Sequence, residues 1–185
     1  MDLAYLAELP REEFVERRNR VFEQMQDNSA LVVFTETEKR RNSDCDYLFR
    51  PDSYFWYLTG FAEPKSTLLL IKKDGKNESV IFVRKKDPLM ETWNGRRLGI
   101  EKAPEALNVD LAFDIEDISC VFAEKTQNLT ACYYAKGLQE WGDSVVAEQF
   151  ADVIDWQPML SEMRLIKSTA EIALIQQACH ISGLA

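Results

Sequence analysis

A single histidine, His180, stands close to the end of the 185-residue chain. Ser-His-Asp and Cys-His chemistry both need a histidine that tertiary structure presents to a nucleophile. His180 lies in an Ala-containing helical stretch, where such a residue packs or faces solvent. The sequence holds no HExxH pair, no GxxxxGK[ST] phosphate loop and no GxGxxG turn. Cys45, Cys120, Cys132 and Cys179 are far apart, with no Cys-x-x-Cys pair. That spacing reads as reduced, partly buried thiols rather than a zinc knuckle or a disulfide framework. Carboxylates are plentiful but scattered over polar faces. On its own residues the chain lacks the equipment of a catalyst.

What it does concentrate is aromatic surface. The stretch SDCDYLFRPDSYFWYLTGF, residues 43–61, carries seven of the chain's twenty aromatic residues, with Asp44, Asp46, Arg50 and Asp52 threaded between them. Tyr54, Phe55, Trp56 and Tyr57 are consecutive, so a strand or a helix must point them in different directions. Some rings fill the core and some surface. A second unusual stretch is ETWNGRRLG, residues 91–99, where Trp93 precedes an Asn-Gly turn with Arg96 and Arg97 behind it. A tryptophan closing a short helix is ordinarily a core anchor, and Asp44 and Asp46 are ordinarily solvated loop charges.

The net charge of −9 argues against nucleic acid as a partner, because neutralising phosphates takes clustered Lys and Arg and the basic knots here are short. No run is long and apolar enough to span a membrane, and the acidic opening MDLAYLAELPREEF does not read as a signal peptide; the compartment expected is the cytosol. The sequons at Asn77 and Asn128 are then chance matches. With 46% hydrophobic residues, the length fits one sizeable α/β domain, or one with an appended piece.

Pro10 opens a helical pattern in which Phe14, Val21, Phe22 and Met25 share a face. Residues 30–34 read as a buried strand, and residues 35–44 as a polar stretch. Thr67–Ile71 and Ser79–Val83 flank a Lys-Asp-Gly-Lys-Asn turn, the signature of a hairpin. Asp87-Pro88 caps a short helix that Asn94-Gly95 ends. A short helix from Pro104, a helix over 113–126 capped by Asp114, a strand over 129–134 and a helix over 137–150 follow. Val153–Trp156 reads as a short strand or turn, and Pro158 starts a helix ending near Arg164. This alternation predicts a mixed sheet covered by helices on both faces. Ser168 and Glu171 form a capping box that opens a fresh amphipathic helix, with Ile172, Ile175, Ala178 and Cys179 as its stripe. A new helix with few later residues to pack on suggests a missing continuation.

The stretches NSDCDYLFRPDSYFWYLTGFAEPKSTLLLI, ETWNGRRLG, VIDWQPMLSEMRLIKSTAEI and REEFVERRNRVFEQM together resemble the amino-terminal domain of bacterial Xaa-Pro aminopeptidases (aminopeptidase P), in the creatinase/prolidase family of pita-bread metallohydrolases. The resemblance implies a three-layer α/β domain over residues 1–166 with a six-stranded mixed sheet in a ribonuclease-H-like arrangement. Residues 167–185 would be the first helix of a C-terminal catalytic domain, which would bind two manganese ions; none of their ligands is transferred to this chain, so the 185 residues alone are expected to be inactive and to bind no metal. The whole protein would release the first residue from peptides with proline second. Its other implied partners are its own catalytic domain and three further copies in a homotetramer. The resemblance assigns substrate contact to Trp93, Asp44 and Arg97, and contact with the catalytic domain to Asp46, Arg50 and Tyr54. Two other outcomes stay open: a non-enzymatic peptide- or histone-binding module of the same superfamily, or the domain of a prolidase or creatinase.

Overall fold

The computed structural model describes residues 9–184. Residues 1–8 of the acidic opening read as no signal peptide, and Ala185 at the end of the last stripe, lie outside them. In chain order the elements are α1 (Arg11–Gln24), β1 (Ser29–Phe34), β2 (Arg40–Asn42), β3 (Cys45–Asp46), α2 (Ser53–Thr59), β4 (Thr67–Lys73) and β5 (Lys76–Val83). Then come α3 (Pro88–Asn94), α4 (Ala103–Leu107), β6 (Leu111–Asp114), α5 (Ile118–Lys125), β7 (Ala131–Tyr133), α6 (Glu140–Ala147), α7 (Gln157–Leu165) and α8 (Thr169–Leu184).

Five strands form one sheet in the order β6-β5-β4-β1-β7. β4 runs antiparallel to both β1 and β5, whereas β1–β7 and β5–β6 pair parallel. β4 and β5 meet through Asp74-Gly75, both at positive φ, the turn that matches the twist of a two-residue hairpin. β1 is buried throughout, as a central strand covered on both faces must be. Its side chains alternate between two cores. Leu31 and Val33 join Val21, Phe22, Phe55, Leu58, Trp156 and Leu160 from α1, α2 and the α7 region. Ala30, Val32 and Phe34 join Ile118, Phe122, Val145 and Val146 from α5 and α6. α6 lies so close to β1 that a Cβ on Gly142 would sit 2.8 Å from the Phe34 ring.

The α1 stripe holds two charges that its hydrophobic pattern conceals. Arg17 and Arg18 are buried alongside Phe14, Val21 and Phe22. Arg17 donates to the carbonyl of Tyr57 at 2.9 Å, lies over the Tyr57 ring and pairs with Glu13 and with Glu171 of α8. Arg18 donates to the carbonyls of Leu58 (2.8 Å), Leu107 (3.1 Å) and Asn108 (2.6 Å). It thereby satisfies carbonyls at the C-terminal ends of α2 and α4, where a cation also complements the helix dipoles. Lys72 does the same for α1 itself, donating to Phe22 and Met25.

The layers and the mixed sheet follow the expectation; the strand count does not. The sheet has five strands, not six. Where a sixth would lie, Ile154 makes one isolated parallel bridge to Tyr133. Pairing stops there because Asp155 caps the turn into α7, its carboxylate accepting Gln157 N–H at 2.8 Å, and Trp156 turns into the core with its Nε1 donating to Val32 O at 3.0 Å. β6 was hidden in the sequence: Asp114, read as the cap of a helix from Phe113, does cap the following turn but also ends a half-buried edge strand. The polar stretch 35–44 leads into the β2–β3 hairpin. The capping box is formed reciprocally, Glu171 accepting Ser168 N–H at 2.9 Å and Ser168 Oγ accepting Glu171 N–H at 3.1 Å.

Candidate functional site: two arms over a charged cleft

Two exposed segments follow the C-terminal ends of β1 and β5. The first runs from Asp87 to Arg96 and contains α3, which has no buried residue. Asp87 caps it, accepting Leu89 and Met90 N–H at 3.1 Å, and Pro88 supplies the preset φ of the first turn. Trp93 lies at its far end with 79% of its surface exposed, so the core-anchor reading of this ring is excluded. Leu89 is exposed beside it.

This arm closes on itself at a narrow neck, as a compact Ω-like loop does. Arg97 Nη1 donates to Lys85 O at 3.0 Å, and Arg97 N–H to Glu91 Oε1 at 2.9 Å. Gly99, at φ +79°, lies against the Lys86 stem, where a Cβ would come within 2.7 Å of Cγ. Leu98 is buried in the core. Its N–H donates to Glu63 Oε1 at 2.6 Å.

The second projection is the β2–β3 hairpin. Arg40 Nε pairs with Asp46 Oδ1 at 3.3 Å, and Arg40 also donates to Ser43 O at 2.6 Å, holding the turn that carries Asp44. Tyr47 and Leu48 follow, both exposed, Leu48 almost completely. Between the arms lies a cleft of about 830 Å³ lined on one side by Arg40 and Asp46, on the other by Met90, Asn94 and Arg97, and floored by Arg84, Lys85 and Asp114. Lys85 reaches Asp114 at 3.0 Å, which holds its ammonium pKa above the usual lysine value, first by that hydrogen bond and then by charge. Arg84 stands between Glu38 (3.4 Å) and Glu63 (3.7 Å).

The expected site residues are therefore not one constellation. Asp46 and Arg97 face the same cleft. Asp44 is exposed at the hairpin turn, and Trp93 on the opposite arm. Arg50 donates to Ser53 Oγ at 3.0 Å beside a separate hollow of about 350 Å³ lined by Tyr47 and Leu48. Tyr54 lies away from both: its hydroxyl meets Ser161 Oγ at 3.0 Å, its ring packs 4.9 Å from that of Trp156, and Arg164 covers it. Of the aromatic run, helix α2 buries Phe55 and Tyr57 and leaves Tyr54 and Trp56 half-buried.

Glu63 was not anticipated. It is 3% exposed, and its Oε2 has no hydrogen-bond partner among the described residues. Burial pushes its carboxyl pKa up, against the opposing pull of the Leu98 N–H and the Arg84 and Arg97 guanidiniums. The only signal in the sequence was a lone acid in GFAEP, between two apolar runs. Among the described residues no group of three or more His, Cys, Asp or Glu is placed to hold a metal ion.

The family model for "Aminopeptidase P, N-terminal domain" matches residues 14–134. The chain belongs to the aminopeptidase P N-terminal domain family. It is 58% identical to the Xaa-Pro aminopeptidase of Haemophilus influenzae, over all of this chain and 44% of that protein. Two solved structures of Escherichia coli aminopeptidase P, one Zn-substituted in complex with product and one with the inhibitor Pro-Leu, match this aminopeptidase P N-terminal domain at TM-score 0.92 and 39% identity. Both matches cover 96% of this chain and 44% of the other. The chain thus spans less than half the length of these relatives. No helix of the described residues is long and apolar enough to cross a membrane.

Proposed function

We propose that this domain serves a cytoplasmic Xaa-Pro aminopeptidase as a non-catalytic part that shapes substrate access and assembly. The observation that carries the reading is Trp93, 79% exposed on an arm that buries nothing of its own helix. Proline has no N–H to recognise, so its pyrrolidine ring is selected by shape and apolar contact, for which a flat indole is suited. In a homotetramer this arm reaches a neighbouring copy's pocket and walls the proline subsite. Arg97 and Asp44 flank the entering peptide, and Asp46, Arg50 and the open edge of Tyr54 meet the catalytic domain. The catalytic domain, with two manganese ions, lies beyond residue 166. The capping box at Ser168 and the absence of buried residues on α8 support that boundary. β4, antiparallel to every other strand of the sheet, supports a ribonuclease-H-like arrangement.

The test is Trp93→Ala in the full-length protein, assayed on a proline-second tripeptide with manganese. The expected result is a fall in kcat/KM of about tenfold or more with the melting temperature nearly unchanged, since truncating an exposed side chain typically costs within about 0.5 kcal/mol. Unchanged cleavage would overturn the pocket-wall role.

A further inference from the structure

The Trp93 arm has no buried residue in its helix, so hydrophobic packing holds only its base, through Leu98. Its orientation is set at the neck, where polar contacts meet. Arg97 binds there to Lys85 O and, through its N–H, to Glu91. These contacts join residues of the arm to its own base. Glu63 is different, because it comes from the loop between α2 and β4 and reaches across to Leu98 N–H at 2.6 Å. That loop is itself fixed to the sheet: Ser66 Oγ donates to Glu63 O, Thr35 N–H to Ser66 O, and Lys65 N–H to Glu36 O. Glu63 is buried, and its carboxylate accepts a charge-assisted hydrogen bond of the stronger kind. Its loss would leave Leu98 N–H a buried donor without an acceptor.

We infer that Glu63 is the latch of this arm, a positioning residue that holds Trp93 at a fixed angle to the domain through the Leu98 amide. The functional part of this inference rests on the pocket-wall reading above; the latch itself does not. Gln at position 63 keeps an oxygen acceptor for Leu98 N–H, whereas Ala removes it.

The experiment uses the full-length protein, its Glu63→Ala and Glu63→Gln variants, and limited trypsin digestion followed by mass spectrometry. Arg96 lies exposed on the arm, and Arg41 on the other hairpin serves as an internal reference. In Glu63→Ala, cleavage after Arg96 is expected to rise about tenfold or more, as local opening replaces a lost buried hydrogen bond, while cleavage after Arg41 holds. Leu98 amide exchange should quicken in parallel, and Glu63→Gln should restore both. Equal acceleration at both sites would show general loosening and overturn the latch. No acceleration, or Glu63→Gln behaving as Glu63→Ala, would overturn it too. In the peptidase assay Glu63→Ala should raise KM with less change in kcat, and Glu63→Gln should recover it. A released arm with unaltered KM, while Trp93→Ala impairs cleavage, would overturn the positioning role. If Trp93→Ala leaves cleavage intact, the pocket-wall reading falls and the digestion result still decides the latch.

Discussion

Arg18, inside the hydrophobic stripe of α1, donates to the carbonyl of Leu58 in the last turn of α2. The same guanidinium serves Leu107 and Asn108 at the end of α4, so one buried cation ties three helices together. Burial lowers its pKa to about 10, partly offset by Asp110, and it stays charged at neutral pH. An ion this deep is tolerated because its donors meet carbonyls that the helices leave unsatisfied.

Replacing Arg18 by Met should therefore destabilise the domain by about 3 kcal/mol or more, since two buried carbonyls and one partly buried carbonyl lose their donor. Arg18→Lys keeps the charge but not the planar fork that reaches two helix ends, and should recover only part of the loss. Urea denaturation of the three proteins checks both; a Met variant as stable as the parent would refute the account.

How Glu63 depends on pH follows from its raised pKa. A group whose folded pKa lies above its unfolded value, here 4.5, contributes stability that is full below that value and lost as pH rises through the folded pKa. Glu63→Gln removes that loss. The variant should be more stable than the parent at pH 8, with the advantage shrinking as pH falls toward 4. Parallel stability curves across this range would contradict the assignment.

The four tryptophans should divide by burial. Trp156 is 1% exposed and hydrogen-bonded to Val32 O, so Trp156→Ala should cost about 3–5 kcal/mol. Trp93→Ala should leave thermal unfolding nearly where it was. Comparable destabilisation by both would mean that the arm packs more closely than its exposure indicates.

The last helix should be dispensable for folding. α8 has no buried residue, and its first turn reaches the domain through Glu171 and Arg17 at 3.2 Å, where Arg17 keeps Glu13 as a second partner. Ending the chain after Leu165 should preserve a cooperative melting transition, with a loss of about 1 kcal/mol at most, the range of a partly exposed ion pair. A broad or absent transition would show that α8 completes the core.

The parts of this fold that short-range chemistry dictates could be read from the sequence. Asp87-Pro88, Asp74-Gly75 and Ser168–Glu171 each announce a cap or turn through residues at most three positions apart, and each forms as expected. What escaped depends on distant partners. Arg17 and Arg18 fall on the α1 stripe by spacing, three and four residues after Phe14, but their burial makes sense only once carbonyls forty residues away are in place. By residue type alone Trp93 reads as a core anchor, although the resemblance assigned it substrate contact; nothing local reveals that its helix buries none of its residues. Asp46 and Arg97 could be singled out one by one; that they face one cleft is a product of the two arms' placement. The edge strand β6 carried too short an apolar pattern to separate from the helix beginning beyond Asp114.

Because the Lys86 side chain lies against Gly99 at the neck, the arm leaves and rejoins the domain side by side, and its helix buries nothing. Residues 87–96 behave as an exchangeable cassette: their length and sequence can change while Leu98 and the surrounding scaffold keep their place. A lineage, or an engineer, can therefore alter what this domain presents to a neighbour by editing ten consecutive codons, without renegotiating any layer of the core.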